Sequence, residues 1–292
     1  MSTQSFNLVI CFNQGYLQPS LISAFSYLKT SQLNLNLVFI IDETVNSKDL
    51  DNINKIFPES KTIKIKSSEV KELFSSRPRG GSWGISAYYR LYTLNQLPDA
   101  LTLYVDADTI CIRNLLPLID YAAELVANSN IYKCAAVSHY RPHPREFKDF
   151  KLRDPYRCFN SGVLLFNPKT LLKVVNFDSI NSTIKLLGDK IKYADQCILN
   201  FLLKDQILWL PMAFNMMTWH FDKDHFGYNR EDNLLVDLNQ LSPDKAYATV
   251  RIAHYTATRP WNIKKAARNE FLSFWTKAEE GYCGRIQTSS VI

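Results

Sequence analysis

The sequence has no long hydrophobic run. None of the apolar stretches along its 292 residues approaches the ~18 residues that a bilayer-spanning helix needs. Met1 to Asn7 carry no positively charged side chain, and the apolar segment Leu8–Phe12 is too short for the hydrophobic core of a secretory signal. We therefore expect a cytoplasmic protein.

Paired cysteines are also missing. The six cysteines are scattered, with no Cys-x-x-Cys pair and no spacing typical of a zinc finger. This pattern argues against a disulfide framework and favours reduced thiols. We expect each cysteine to act as a small buried apolar residue.

The chain has no internal repeat, no low-complexity segment and no concentration of one charge. Its 34 basic and 28 acidic residues are interspersed and leave a net charge of +6. This balance argues against a nucleic-acid-binding surface and fits a protein that handles anionic small molecules or visits an anionic membrane.

What is present is an alternation of short apolar runs with helical patterns. Apolar, β-rich segments predict strands at Phe6–Phe12 and Leu35–Ile41, and an alternating segment predicts an edge strand at Thr62–Lys66. Helical spacing predicts helices over Leu17–Leu28 and from a capping Ser47 to Phe57. This order predicts an α/β fold with a mostly parallel, Rossmann-like mixed sheet.

The remaining pattern continues the alternation around a basic loop at residues 139–157. The further predicted elements are helices over Ile85–Leu97, Ala194–Leu203 and Ile263–Ala278, and strands over Leu101–Val105, Ala135–Ser138, Val163–Phe166 and Ile207–Leu210. We assign residues 1–262 to one domain and residues 263–292 to a basic, aromatic C-terminal tail.

The strongest chemical signal is Asp106-Ala107-Asp108, directly after the apolar run LTLYV. Two carboxylates two residues apart in an extended chain project to the same side and can share one hard divalent cation. In open α/β sheets ligands bind beyond the carboxyl ends of the strands, where this pair is expected. Mg²⁺ or Mn²⁺ at such a site would neutralise a diphosphate leaving group.

Two other Asp-x-Asp pairs lack this context. Asp49 and Asp51 fall in a predicted surface helix, where residues two apart do not face each other. Asp222 and Asp224 lie between two histidines, which leaves open either a transition-metal site or, as we favour, a polar loop.

Five motifs then appear in a fixed order. They are YYRLYTL (88–94), LYVDADTICIRNLLPL (103–118), CFNSGVLLFN (158–167), ADQCILN (194–200) and HYTATRPW (254–261). Over roughly residues 6–262 the chain resembles glycosyltransferase family 8, which contains bacterial lipopolysaccharide and lipooligosaccharide hexosyltransferases and glycogenin. The resemblance implies a single nucleotide-sugar-binding domain of the GT-A type.

The resemblance also implies roles for individual residues. Asp106, Asp108 and His254 match metal ligands, and Arg90 matches a donor-binding arginine. Ala107 adjoins the donor between the two carboxylates.

Further matches surround the donor sugar. Asn160 matches a polar contact, Asp195 a carboxylate that holds sugar hydroxyls, and Gln196 an amide near the anomeric carbon; Asp195 also fits the N-cap of the following helix. As alternatives to these roles, Arg90 would be a surface helix residue and Asn160 a turn residue.

Three departures from the family pattern affect the nucleotide side. The segment CFNQGY (11–16), with Cys11 and Asn13 expected beside the base, has Asn13 where an aspartate is usual, so uracil is inferred from the family only. The segment from His254 to Trp261 is one residue shorter than usual, and Arg259 replaces the lysine that grips the diphosphate. Trp83 would either stack near the base or belong to the core.

These matches imply a retaining, metal-dependent transferase that moves glucose or galactose from a UDP-sugar to a glycan or glycolipid, with Mn²⁺ or Mg²⁺ as cofactor. The alternatives are transfer of an N-acetylhexosamine, an inactive sugar-nucleotide-binding module, and a metal-dependent hydrolase of nucleotide sugars.

The tail interleaves basic with aromatic residues. Lys264, Lys265 and Arg268 alternate with Phe271, Phe274 and Trp275. Such a segment fits either weak peripheral contact with the inner face of the cell membrane or an amphipathic helix packed on the domain.

Overall fold

A computed structural model describes residues 4–74, 84–138, 158–217, 249–256, 260–261 and 269–289. The strands in these ranges are β1 Ser5–Phe12, β2 Asn34–Ile41, β3 Lys61–Lys64, β4 Thr102–Val105, β5 Thr109–Cys111, β6 Cys134–Ser138, β7 Phe159–Phe166, β8 Ile207–Leu210, β9 Met216–Met217 and β10 Ile252–His254. The helices are α1 Leu17–Thr30, α2 Ser47–Ile56, α3 Ser67–Leu73, α4 Tyr89–Tyr92, α5 Leu118–Ala127, α6 Pro168–Leu172, α7 Phe177–Leu187, α8 Ala194–Leu203 and α9 Asn269–Ser289.

The larger sheet has the strand order β3-β2-β1-β4-β7-β6-β8. The pairs β1/β2, β1/β4, β2/β3 and β6/β8 are parallel, whereas β7 runs antiparallel to both of its neighbours. The expected α/β fold with a mostly parallel mixed sheet is therefore confirmed. Buried apolar side chains cover both faces of this sheet in two separate clusters, as strands covered on two sides require.

The antiparallel strand β7 decides where the site lies. Because β7 runs against β4, the amino end of β7 meets the carboxyl end of β4, and Val105 pairs with Val163. Residues that follow β4 therefore lie beside residues that begin β7.

A smaller sheet extends this edge. Its order is β5-β10-β9, with β10 antiparallel to β5 and parallel to β9. The pairing of His254 with Thr109 brings a late segment of the chain against the turn that follows β4.

Several details differ from the sequence-based expectations. The predicted helix over Ile85–Leu97 is broken into 3-10 turns at Ile85–Tyr88 and Leu94–Gln96 around the short α4. The Tyr89 hydroxyl donates to Asp42 at 2.5 Å and Arg90 binds Asp106. Tyr89 and Arg90 both lie in α4, which these contacts join to the residues that follow β2 and β4.

The other differences concern element ends. Asn46 caps α2 through its side chain in place of Ser47, and Tyr193 is the N-cap of α8, so Asp195 lies inside the first turn. The strand predicted from Val163 begins at Phe159, which places Asn160 in β7 and not in a turn. Its Asn-Ser-Gly sequence favours turns, but it lies in the strand between Phe159, which pairs with Ser138, and Val163, which pairs with Val105, where the β6/β7 ladder is irregular.

The C-terminal helix α9 packs on the domain. Trp275 is 1% exposed and Tyr282 4% exposed, and both join the core cluster beside α1 and α2. For Trp275 the packed alternative is therefore the one observed, while residues 262–268 lie outside the described part of the chain. Among the described helices, none combines the length and the apolar character that crossing a membrane requires.

Candidate active site

The carboxylate pair lies in the turn between β4 and β5. The Asp106 amide donates to Gly162 O at 2.8 Å, and the Asp106 carbonyl accepts from the Thr109 amide and hydroxyl at 3.1 and 2.8 Å. The turn therefore holds the two carboxylates at the carboxyl end of β4. Their side chains are 27% and 25% exposed, which leaves them open to a ligand.

His254 ends β10 and faces both carboxylates. Its Nε2 lies 3.3 Å from Asp108 Oδ1 and 3.9 Å from Asp106 Oδ2. The Tyr255 amide donates to Asp108 O at 2.9 Å and fixes the register of the two segments. One ligand atom from each of Asp106, Asp108 and His254 lies within 4.8 Å of the others, a spacing that one cation can bridge.

In this cluster one imidazole lies beside two carboxylates, and each group affects the others' pKa. Burial disfavours the charged form of His254, but the Asp108 and Asp106 carboxylates outweigh it and raise its pKa. Burial also disfavours the charged form of Asp108 and acts to raise its pKa, but the attraction of His254 outweighs this effect and lowers the pKa overall. These opposite shifts have one cause, the attraction between His254 and the two carboxylates, and a cation that binds the imidazole would compete with its protonated form.

Arg90 is an internal organiser of the site. Its guanidinium binds Asp106 Oδ1 at 2.8 Å, Asp195 Oδ2 at 2.9 Å and the carbonyl of Ser161, and it stacks 4.1 Å from the centre of the Tyr104 ring. The Arg90 guanidinium therefore joins Asp106 to Asp195. Arg90 is buried and is not a surface helix residue.

Asp195 and Gln196 begin α8 on the opposite side of Arg90. Burial raises the pKa of Asp195 to about 6, and the Arg90 guanidinium offsets part of that effect. Gln196 Oε1 accepts from Asn160 Nδ2 and from the Ser161 amide, both at 3.2 Å. Asn160, Asp195 and Gln196 therefore lie together at the amino end of β7.

The remaining predicted residues are less closely joined. Cys11 precedes the last residue of β1 and lies close enough to Arg90 and Tyr104 for both to act on its thiol, and burial raises the pKa of this thiol. Asn13 follows β1, and its side chain caps the next turn by accepting from Gly15 at 3.1 Å. Ala107 is buried between the two carboxylates. Trp83 and Arg259 lie outside the described residues.

The structure describes only one of the other two Asp-x-Asp pairs. Asp49 and Asp51 lie on α2, where Asp49 exchanges hydrogen bonds with the capping Asn46 and Asp51 is exposed. Asp222 and Asp224 fall outside the described part of the chain.

Two residues that sequence reasoning missed complete the site. A Cβ added to Gly162 would lie 2.2 Å from His254 Cε1 and 2.8 Å from Asp106 Oδ2, so only glycine fits this strand position beside the ligands. Glycine inside a strand pattern is a signal for such a close approach. Asn215, whose Oδ1 lies 2.8 Å from His254 Nδ1, gives no comparable signal because only the fold brings it there.

Comparison with known proteins identifies relatives of this arrangement. The family model described as Glycosyl transferase family 8 matches residues 7–265. A lipopolysaccharide 1,2-glucosyltransferase of Escherichia coli is 25% identical over 275 residues, which cover 89% of this chain and 74% of that protein. The protein of the same name from strain K12 is 26% identical over 276 residues, with the same coverage.

Solved structures share the fold. The galactosyltransferase LgtC, in a complex with donor and acceptor sugar analogs, has a TM-score of 0.76 at 20% identity and covers 94% of this chain and 96% of its own. The glycosyltransferase GlyE of Streptococcus pneumoniae has a TM-score of 0.64 at 16% identity and covers 97% of this chain and 64% of its own. These likenesses agree with the expected GT-A type of fold.

Proposed function

The chain belongs to glycosyltransferase family 8, and from this premise we propose that it is a retaining hexosyltransferase. The donor is UDP-glucose or UDP-galactose and the acceptor is a glycan or glycolipid. The observation that carries the proposal is the convergence of Asp106, Asp108 and His254 beside Asn160 and Gln196. The E. coli relatives named as lipopolysaccharide glucosyltransferases support the acceptor class.

The three ligand side chains fit a divalent cation. Two carboxylate oxygens and one imidazole nitrogen, all within 4.8 Å of one another, suit Mg²⁺ or Mn²⁺, and the imidazole favours Mn²⁺. When bound, the cation neutralises the diphosphate and stabilises it as a leaving group.

The residues nearest the sugar favour a reaction on one face. Retention by double displacement needs a carboxylate nucleophile close to the anomeric carbon. Asp195 is paired with Arg90 and only 3% exposed, and Gln196 is an amide, so neither is a suitable nucleophile. We therefore favour attack by the acceptor hydroxyl on the side from which the diphosphate leaves, with a phosphate oxygen taking the hydroxyl proton.

The chain's own groups would assist this step by orientation and charge. The Gln196 carbonyl, held by Asn160 and Ser161, would stabilise positive charge that develops on the ring. Asp195 would hold sugar hydroxyls, and Arg90 would fix Asp195 and Asp106 relative to each other. Arg259 would contact the departing phosphate, and Cys11, Asn13 and Trp83 would flank the base.

The experiment is a donor screen of the purified protein with Mn²⁺. UDP-glucose, UDP-galactose and UDP-N-acetylhexosamines are compared with and without lipooligosaccharide acceptors, and the anomeric configuration of the product is read by NMR. We expect acceptor-dependent transfer of a hexose with retention, which EDTA abolishes. Transfer of the N-acetylated sugars would instead indicate an N-acetylhexosamine transferase. Release of free sugar without acceptor would indicate a hydrolase, and binding without turnover an inactive module.

We place the reaction in the cytoplasm, at or near the inner membrane face where glycolipid acceptors are found. Because Trp275 is buried in the core, any contact would depend on Lys264, Lys265 and Arg268, at about 1 kcal/mol for each basic residue near an anionic surface. Co-sedimentation with phosphatidylglycerol vesicles should weaken when these three residues are changed to glutamate. Equal binding by the variant and the natural chain would end this part of the proposal.

A further inference from the structure

Gln196, Asn160, Asn215 and His254 form one hydrogen-bonded row that ends at a proposed metal ligand. Gln196 Oε1 lies 3.2 Å from Asn160 Nδ2, Asn160 Oδ1 lies 2.9 Å from Asn215 Nδ2, and Asn215 Oδ1 lies 2.8 Å from His254 Nδ1. Asn215 is fully buried and His254 is 2% exposed. In such a setting each polar atom needs a partner of the opposite kind.

Backbone groups decide which way the amides point. The Ser161 amide donates to Gln196 Oε1 at 3.2 Å, and the Gly162 amide donates to Asn160 Oδ1 at 2.9 Å. A backbone N–H can only donate, so both contacted atoms must be carbonyl oxygens. Backbone contacts therefore fix the orientation of the Gln196 and Asn160 amides, and His254 takes no part in this.

The orientation of Asn160 fixes that of Asn215, which in turn fixes the proton on the His254 ring. Because Asn160 Oδ1 is an acceptor, Asn215 must present its NH₂ group to it, and Asn215 Oδ1 then faces the imidazole. That oxygen needs a donor, so the proton of the neutral ring lies on Nδ1. Nε2 is left with a lone pair that points towards Asp106 and Asp108.

The carboxylates alone would favour the opposite tautomer. Asp108 Oδ1 lies 3.3 Å from Nε2 and would draw a proton onto that nitrogen, which would block it as a ligand. We propose that Asn215 is a positioning residue that holds His254 in the Nδ1–H tautomer and so keeps Nε2 available to a divalent cation. This inference rests on the metal part of the proposed function.

The tautomer can be read without turnover. Proton–nitrogen correlation NMR of ¹⁵N-histidine-labelled, metal-free protein, at a pH where the ring is neutral, distinguishes Nδ1–H from Nε2–H. The His254 signals among the five histidines are identified by their loss in His254→Gln. We expect Nδ1–H in the natural chain and a shift towards Nε2–H in Asn215→Ala.

Metal binding gives a second readout. Calorimetric titration with Mn²⁺ should show about 10- to 100-fold weaker binding in Asn215→Ala. Asn215→Asp still accepts from Nδ1–H but no longer donates to Asn160, so it should keep the tautomer and bind Mn²⁺ within a few-fold of the natural chain. Its turnover should nevertheless fall, because Asn160 and Gln196 lose their support.

Asn200 supplies the matched control. It is also a buried asparagine, 2% exposed, and it joins Phe159 to the backbone of Gln196. Asn200→Ala should lower thermal stability but leave the His254 tautomer and the Mn²⁺ affinity unchanged.

Three outcomes would overturn the inference. They are an Nε2–H tautomer in the natural chain, an unchanged Mn²⁺ affinity in Asn215→Ala, or an equal loss of affinity in Asn200→Ala. A natural chain with the Nδ1–H tautomer but no Mn²⁺ binding would refute the proposed metal site and, with it, the purpose assigned to Asn215.

Discussion

Two neighbouring residues, His254 and Tyr255, lie in two different regions of the molecule. His254 enters the polar site, where its Nδ1 hydrogen-bonds Asn215 and its Nε2 lies within 4 Å of Asp106 and Asp108. Tyr255 turns to the other side and packs edge-on against Trp275 of α9, with ring centres 5.5 Å apart. The polar region depends on where each proton lies, whereas the aromatic region depends on buried area and shape.

The aromatic region connects segments that flank the site. Trp275 packs on Trp261 at 5.0 Å, and Trp261 packs on Tyr16 at 5.7 Å. Tyr16 lies just after Asn13, and Trp261 lies two residues after Arg259. We therefore expect changes in the polar region to affect chemistry, and changes in the aromatic region to affect stability first.

The largest effect should come from Asp108→Asn. Loss of one carboxylate removes a cation ligand worth several kcal/mol of charge stabilisation, so kcat/KM should fall by about 10³-fold or more. The melting temperature should change by no more than a few degrees, since the partly exposed side chain is not part of the core. Full activity in this variant, or in the natural chain treated with EDTA, would refute the metal assignment.

A smaller but still large effect is expected from Gly162→Ala. The new methyl group would overlap His254 and Asp106 and displace them by a fraction of an ångström or more, for which a loss of about 10²-fold in kcat/KM is reasonable. Gly284→Ala on α9 is the matched control, because no atom lies within 4 Å of its Cβ position. It should keep full activity and gain about 0.5–1 kcal/mol in stability. Equal kinetics for the two variants would contradict the crowding argument.

Gln196→Ala should lower kcat by about 10²-fold without abolishing it, because one electrostatic contribution is lost. Asp195→Ala should also raise the KM for the donor, since hydroxyl contacts hold the sugar in both the ground and the transition state. Asp195→Asn serves as its conservative partner in steady-state kinetics. A glycosyl adduct on Asp195, trapped by mass spectrometry in the natural chain, would overturn the one-face reaction, and so would an inverted product.

The smallest effect on catalysis is expected from Trp275→Ala. Removal of this buried ring should lower the free energy of unfolding by about 3–5 kcal/mol, measured by urea denaturation. At a temperature where the variant stays folded, kcat should change less than about threefold, because Trp275 packs on the rings of Tyr255 and Trp261. Trp275→Phe should recover most of the stability. A kinetic loss without a stability loss would show that the two regions are not separable.

Much of the site was predictable because its residues adjoin predictable elements. Asp106 and Asp108 follow a short apolar strand, and Asp195 and Gln196 begin a helix whose bounds, 194–203, match the expectation. His254 was reached by family resemblance alone, since a histidine 146 residues after Asp108 carries no local signal.

Other features could not be foreseen because they depend on partners distant in the chain. In the helix expected over Ile85–Leu97, only Tyr89–Tyr92 are α-helical, and Tyr89 and Arg90 contact Asp42 and Asp106. The donor-binding role of Arg90 stays a prediction, but its contacts with Asp106, Asp195 and Ser161 could not be read from the sequence. Such contacts decide the role of a side chain after the sheet has brought the segments together.

The sequence by itself determined the alternating strands and helices, the carboxylate pair at a strand end and the family. These follow from local periodicity and from short motifs, which act over neighbouring residues. Only the tertiary structure decided the antiparallel course of β7, the closeness of Gly162 to His254, and the row from Gln196 to Asn215. The physical reason is that a hydrogen bond or a steric contact depends on distances of a few tenths of an ångström, and the packed sheet alone sets those distances between residues far apart in the chain.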